Sequence, residues 1–190
     1  LLAKLKSYGI DDIREQVGNG YGMVATIHGS KPGLTIGLRA DFDALRIKEE
    51  SDVPFASENE GIMHACGHDA HASALLSVAR VLQLHKDELH GNVVLIFQNA
   101  EEQLPGGAAS MCADGALDGV DKMFGIHVQA LSPVGQISYR YGFGCAAADS
   151  FAIDIHGRGG HAASPHLTHD AVVIATSIIT QAQMIVSRAV

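Results

Sequence analysis

Val93-Val94-Leu95-Ile96-Phe97-Gln98-Asn99-Ala100-Glu101-Glu102 is the stretch that decides the fold. Five apolar residues in a row read as a strand covered on both faces, because successive side chains point to opposite sides of a sheet. Two carboxylates follow directly. Upstream, Asp69 to Leu84 carries Leu75, Val78, Ala79 and Leu82 on one helical stripe. Before it, Leu34 to Leu38 is a short apolar run ending in Arg39-Ala40-Asp41, and Tyr21 to Ile27 alternates weakly as a strand does. Leu1 to Lys6 reads as the tail of a helix stopped near Gly9. Downstream, Gly106 to Ala113 is a second helix and Lys122 to Val128 another strand. This alternation predicts an α/β sheet with helices on both faces.

Near residue 148 the pattern changes. Phe151, Ile153 and Ile155 alternate with Ala152, Asp154 and His156, predicting a half-buried strand. A loop rich in Gly, His and Pro follows to His169. Ala171, Ile174, Ala175, Ile178, Ala182 and Ile185 then trace one helix face. We place a domain over 1–147 and the start of a second, smaller one over 148–190.

Composition narrows the function classes. The 190 residues are 47% hydrophobic and 18% charged, enough for a core. A formal charge of −8 argues against nucleic acid, whose binding rests on clustered cations. No apolar run reaches the ~18 residues of a membrane span, and no secretory signal opens the chain. Cys66, Cys112 and Cys145 make no even-numbered disulfide framework, so a reducing, cytoplasmic setting is expected. Cys112 and Cys145 are expected to pack. The opening without Met and the close at Val190 inside an apolar segment suggest a piece of a longer protein.

Four segments carry candidate chemistry. His64-Ala65-Cys66-Gly67-His68-Asp69-Ala70-His71 puts three His, a Cys and a carboxylate in eight residues before a helix. Cys66 and His68 are two apart, a spacing that lets a turn bring both to one metal. The helix N-terminus is expected to favour the Cys66 thiolate. The competing reading is a polar helix cap with an incidental buried Cys. Glu101-Glu102 stands at the carboxyl end of a strand, where open α/β sheets bind ligands. One carboxylate could bind metal while its neighbour moves a proton, or both could lie in a solvated turn. His127 ends another strand at the same rim. Asp41 and Asp43 end an earlier one and suit orienting ligand histidines, or a plain strand cap. Gly157-Arg158-Gly159-Gly160-His161 could present a His to substrate or to a developing oxyanion, or be a flexible turn. It lacks the Lys-Ser/Thr ending of a phosphate loop.

Arg39-Ala-Asp-Phe-Asp-Ala-Leu45, Met63-His-Ala-Cys-Gly-His-Asp69, Ala100-Glu-Glu102 with Gly106-Gly-Ala108, Phe124-Gly-Ile-His-Val128 and Gly159-Gly-His-Ala-Ala163 occur in order. Together they resemble the dinuclear metallo-amidohydrolases of the aminoacylase/carboxypeptidase type. The nearest subgroup holds hippurate hydrolases, N-acyl-amino-acid amidohydrolases, auxin-conjugate hydrolases and N-acetyl-diaminopimelate deacetylases. The resemblance runs from about Tyr21 to Arg188. It implies a three-layer αβα zinc-peptidase-like catalytic domain, with an incomplete, smaller α+β (ferredoxin-like) dimerisation or lid domain.

The resemblance also implies roles. Cys66 would bridge two divalent ions (Zn, Mn, Co or Ni), with His68, Glu102 and His127 as further ligands. Glu101 would be the general base. His161 would reach the active site of a partner subunit and stabilise the oxyanion. A last His ligand lies far downstream in members, and this sequence stops before it. The implied activity is metal-dependent hydrolysis of N-acyl amino acids in a homodimer. A di- or tripeptide exopeptidase shares the mechanism, and a non-catalytic metal-binding fragment is a reading of another class. Asn99 and Arg46 stand where members usually carry Pro, and Ser77 where Gly is usual.

Overall fold

The structure is a computed structural model describing residues 1–142, 144 and 149–189, with backbone alone for 186–189. The run Val93 to Phe97 lies within β4 (His90–Gln98), at the centre of a five-stranded sheet. Its companions are β1 (Ile13–Val17), β2 (Gly22–His28), β3 (Lys31–Asp41) and β5 (Lys122–Gly125), in the order β1-β2-β4-β3-β5. β1 with β2 and β2 with β4 are antiparallel. β3 is parallel to both β4 and β5, with Leu38 opposite Leu95 and Phe124. The carboxyl ends of β3, β4 and β5 therefore share one rim.

The alternation along β4 divides the core in two. Leu95 and Phe97 point to one face, packing with Leu5, Ile10, Ile27, Leu75 and Ala79 beneath α1 (Leu2–Ser7) and α2 (His68–Leu84). Val94 and Ile96 point to the other, packing with Val17, Val24, Met111 and Ala116 beneath α3 (Gly107–Ala113). This is the three-layer αβα arrangement expected. Each fully buried Leu or Phe contributes about 1.5–3 kcal/mol.

Several local expectations need correction. β1 was not legible: its middle residues are exposed, and a register break between Arg14 and Val17, with Gln16 at φ 59°, destroys the alternation. β3 begins three residues before the apolar run, and β5 ends at Gly125, so His127 sits on the loop beyond it. On α2 the buried face is His68, His71, Ala72, Leu75 and Ala79, while Val78 is 41% exposed. Leu75 and Ala79 are buried and Leu82 packs on the core as expected, and two histidines of the first turn extend that face. Cys112 is exposed, because α3 turns Gly107 and Met111 inward instead.

The chain divides into two compact units, Leu1–Val134 and Gly135–Val190. Cys145 and the 147/148 boundary fall outside the described residues. In the second unit Phe151 to Ile155 forms no strand and joins no ladder among the described residues, and Phe151 and Ile153 are exposed. Alternation reports two faces; it does not supply the neighbouring strand that pairing requires. The following loop is tied by reciprocal backbone bonds between Arg158 and His169, and by Arg158 Nη2 donating to Leu167 O at 2.7 Å. α4 (Ala171–Ala189) begins where the Asp170 carboxylate accepts the Val172 N–H at 2.9 Å. Ala171, Ala175, Ile178 and Ala182 are its less exposed side, as the pattern predicts, whereas Ile185 is 63% exposed.

Candidate metal centre

Four segments converge at the rim because three parallel strands end there. Asp41 closes β3 and Asp43 follows it; Glu101 and Glu102 follow β4; His127 follows β5; Cys66 and His68 open α2. Gly67, between the last two, has φ 78°, a conformation that favours glycine, and a Cβ there would stand 2.6 Å from Val128 Cγ2. Gly107 closes the other turn: its N–H donates to Ala100 O at 3.0 Å, and a Cβ would stand 2.0 Å from Asn99 O.

His68 is fully buried. Its Nδ1 lies 3.1 Å from Asp43 Oδ1, whose other oxygen accepts the Glu102 N–H at 3.0 Å. Asp43 thus orients a ligand candidate, as expected, and also fixes the backbone of the Glu101-Glu102 turn. With Nδ1–H donated to Asp43, Nε2 is left with a lone pair and has no hydrogen-bond partner among the described residues. That atom lies 3.9 Å from carboxylate oxygens of both Glu101 and Glu102 and 3.7 Å from Asp41 Oδ2. A lone pair facing carboxylates without a donor between them calls for a cation.

The remaining donors cluster about the same histidine. Cys66, His68 and His127 offer ligand atoms within 4.8 Å of one another, and so do His68, Glu101 and Glu102. Cys66 Sγ lies 3.4 Å from His127 Nε2, and His127 Nδ1 donates to Val128 O at 2.6 Å, leaving Nε2 unprotonated toward the sulfur. The residues present therefore fit divalent metal: deprotonatable sulfur, imidazole nitrogen and carboxylate oxygen, with His68 common to these two sets and to a third, fully buried one of Asp41, His68 and His71.

Electrostatics correct one expectation. Burial, then the carboxylates of Glu102, Glu101 and Asp41, push the Cys66 thiol up to about 11. Burial and these negative charges outweigh the helix N-terminus, so the protein alone opposes the thiolate and a bound cation would have to supply it. Asp41 goes the other way. Burial raises it, but the hydrogen bond from His71 and the positive charge of Arg39 prevail and hold it below the usual carboxylate range.

Asp41 also differs in its partner. Its Oδ1 lies 2.5 Å from Nδ1 of His71, not on a predicted ligand. Its Oδ2 is 2.7 Å from Arg39 Nη1, an ion-pair contact without hydrogen-bond alignment. Arg39 Nε donates to Gln98 Oε1 at 2.9 Å. His71 had no role assigned beyond membership of a His-rich motif; its place three residues after His68 on α2 is the one sequence signal that could have found it.

In the second unit, His161 Nδ1 accepts the Ala163 N–H at 3.1 Å. A neutral ring so held carries its proton on Nε2 and offers a donor there.

Residues 37–188 match the profile of Peptidase family M20/M25/M40. The chain belongs to this family. Among M20 relatives, the Bacillus subtilis protein YhaA, named as an amidohydrolase, is 54% identical over 178 residues, covering 94% of this chain and 45% of its own. An N-acyl-L-amino acid amidohydrolase of Geobacillus stearothermophilus is 45% identical, covering 87% and 45%. Thermostable carboxypeptidase 2 of Saccharolobus solfataricus is 46% identical, covering 92% and 44%. The crystal structure of Bacillus subtilis YXEP, described as a dinuclear metal-binding peptidase of the M20 family, is similar at TM-score 0.66 and 40% identity, over 70% of this chain and 37% of that one. The chain spans a little under half the length of these curated relatives. No helix among the described residues is long and apolar enough to cross a membrane.

Proposed function

We propose that this chain carries the metal centre and general base of an enzyme that hydrolyses the amide bond of N-acyl amino acids. The observation that supports it best is His68 Nε2: buried, without a hydrogen-bond partner among the described residues, and facing Glu101 and Glu102. Cys66, His68, Glu102 and His127 are the residues that would hold two divalent ions. When bound, the ions lower the pKa of water and polarise the amide carbonyl.

The chain's own residues do the rest. Glu101 is the more exposed of the two adjacent carboxylates, with 42% of its side chain accessible against 23% for Glu102. It takes the proton from the attacking water and returns it to the leaving amine as the C–N bond breaks. Asp43 holds the Glu102 N–H and the His68 ring, so the base and the ligand beside it are fixed by one carboxylate. His161 donates from Nε2 to the oxyanion. We assign it to a smaller domain over 148–190 that pairs two subunits as a homodimer, each His161 serving the partner's site. The cytoplasm is the compartment we assign, because a Cys-containing site needs a reduced thiol.

The N-acyl amino acid reading rests on likeness to the Geobacillus amidohydrolase. The carboxypeptidase relative supports a second reading, an exopeptidase on di- or tripeptides with the same chemistry. A panel of N-acetyl, benzoyl and indole-acetyl amino acids set against dipeptides, run with Mn or Zn and then with chelator, separates them. Chelator-sensitive cleavage of the acyl compounds supports the proposal. Cleavage of dipeptides alone moves the substrate class. Metal bound without turnover of either leaves a binding fragment, and no metal at all removes Cys66, His68, Glu102 and His127 as ligands.

A further inference from the structure

His71 is fully buried and lies outside the proposed ligand set, yet both of its ring nitrogens are engaged. Nδ1 is 2.5 Å from Asp41 Oδ1, and Nε2 accepts the backbone N–H of Val128 at 2.9 Å. The second contact fixes the tautomer: a nitrogen that accepts carries no proton, so the proton sits on Nδ1 and is donated to Asp41. The backbone of Val128 is then held through both of its polar groups. Its N–H goes to His71, and its C=O accepts from Nδ1 of His127. The His71 and His127 rings also meet edge-on, their centroids 4.6 Å apart.

We propose that His71 is a positioning residue for the metal centre, pinning Val128 and thereby holding the His127 ring with Nε2 toward Cys66. The observation that demands this is the place of His127: it lies beyond the end of β5, where no ladder among the described residues fixes the backbone. Asp41, Arg39 and Gln98 extend the anchor from α2 across the ends of β3 and β4. One chain of contacts thus references the loop after β5 to the start of α2, where Cys66 and His68 lie, and to β4, which leads into Glu102. The inference rests on the reading of His127 as a ligand.

Two variants split the two contacts. In His71→Gln an amide oxygen can stand near the place of Nε2 and accept from Val128. In His71→Asn the amide reaches Asp41 but leaves Val128 without an acceptor. Both are compared with wild type and His127→Ala by competition of Co²⁺ against a chromophoric chelator and by the near-ultraviolet thiolate-to-cobalt band of Cys66. We expect His71→Asn to lose about tenfold or more in affinity and part of the band, and His71→Gln to stay within about threefold of wild type. Wild-type affinity in His71→Asn, or equal losses in both variants, overturns the proposal. If His127→Ala leaves Co²⁺ affinity unchanged, the ligand reading fails instead.

A measurement on wild-type protein decides the matter even if the Asn variant does not fold. Long-range ¹H–¹⁵N correlation of the His71 ring should show protonated Nδ1 and unprotonated Nε2. A proton on Nε2 would leave Val128 without an acceptor and overturn the proposal.

Discussion

Asp43→Asn tests the logic of the centre most sharply, because the substitution is nearly isosteric and changes only donors and acceptors. Asp43 uses its two oxygens on two separate donors, His68 Nδ1–H at 3.1 Å and Glu102 N–H at 3.0 Å. Asn has one oxygen. If that oxygen stays on Glu102, the NH₂ faces His68 Nδ1, which must then accept, and the ring proton moves to Nε2. The lone pair aimed at the Glu101 and Glu102 carboxylates is lost. If the amide turns round, the NH₂ opposes the Glu102 N–H and the turn carrying both carboxylates loses its tether. Either arrangement damages the site, and loss of such an orienting partner costs about 10–100-fold in metal affinity. That is about 1.4–2.7 kcal/mol. The assay is Zn²⁺ or Co²⁺ competition against a chelator, with circular dichroism to establish folding. Asp43→Ala sharpens it: Ala leaves the His68 tautomer free, so Asn should bind metal no better than Ala although it is closer in shape. Affinity within twofold of wild type in Asp43→Asn would refute the tautomer argument.

Glu101→Gln should keep metal and lose about 10²–10⁴ in turnover, the usual worth of a general base; normal turnover would remove Glu101 from that role. Cys66→Ala should lose metal, read as metal-to-protein ratio after gel filtration, and an unchanged ratio would remove Cys66 from the ligand set. Apparent metal affinity should rise with pH, because a thiol at about 11 must release its proton to bind, so protons compete more strongly as pH falls. One released proton gives about tenfold per pH unit, and a flat profile from chelator competition would count against a thiolate ligand. Phe97→Ala should cost about 3–5 kcal/mol in urea unfolding, since the ring is fully buried beneath α1 and α2; a loss under 1 kcal/mol would contradict the assigned core.

The sequence was most legible where one physical rule acted alone. Val93 to Phe97 is apolar on both sides because both sides are covered, and the run shows it. α2 was legible in extent and in most of its face, since Leu75 and Ala79 are buried and Leu82 packs on the core; Val78 is left outside, and His68 and His71 join the buried side for polar reasons. β1 was hidden by its bulge and by exposure of its middle residues. The site residues could be gathered from their positions after strands, since parallel order puts those ends on one rim. Which Asp serves which His could not be read, as residues 41 and 43 differ by two and point alike in a regular strand. Only the departure from β3 after Asp41 sends Asp43 to His68 and leaves Asp41 to His71.

That division explains how so many acids tolerate one another. Asp41, Asp43, Glu101 and Glu102 meet at the rim, and the direct cationic side-chain contact among the described residues is Arg39 on Asp41. Asp41 is accordingly the carboxylate already compensated, by Arg39 and by the His71 N–H, and it belongs to the scaffold. Asp43 is compensated by two donors, one from His68 and one from the backbone of Glu102. Glu101 and Glu102 have no cationic side chain against them among the described residues and face the unprotonated edge of His68, and burial, the hydrogen bond to Glu102 and their charge push Cys66 up. The uncompensated groups are therefore the ones proposed to meet metal or move a proton, and the compensated ones hold them in place. Asp41→Asn should consequently act through folding and the Val128 anchor, lowering the melting temperature while sparing the pH profile of turnover. A shifted pH profile with an unchanged melting temperature would place Asp41 among the reacting groups and reverse this assignment.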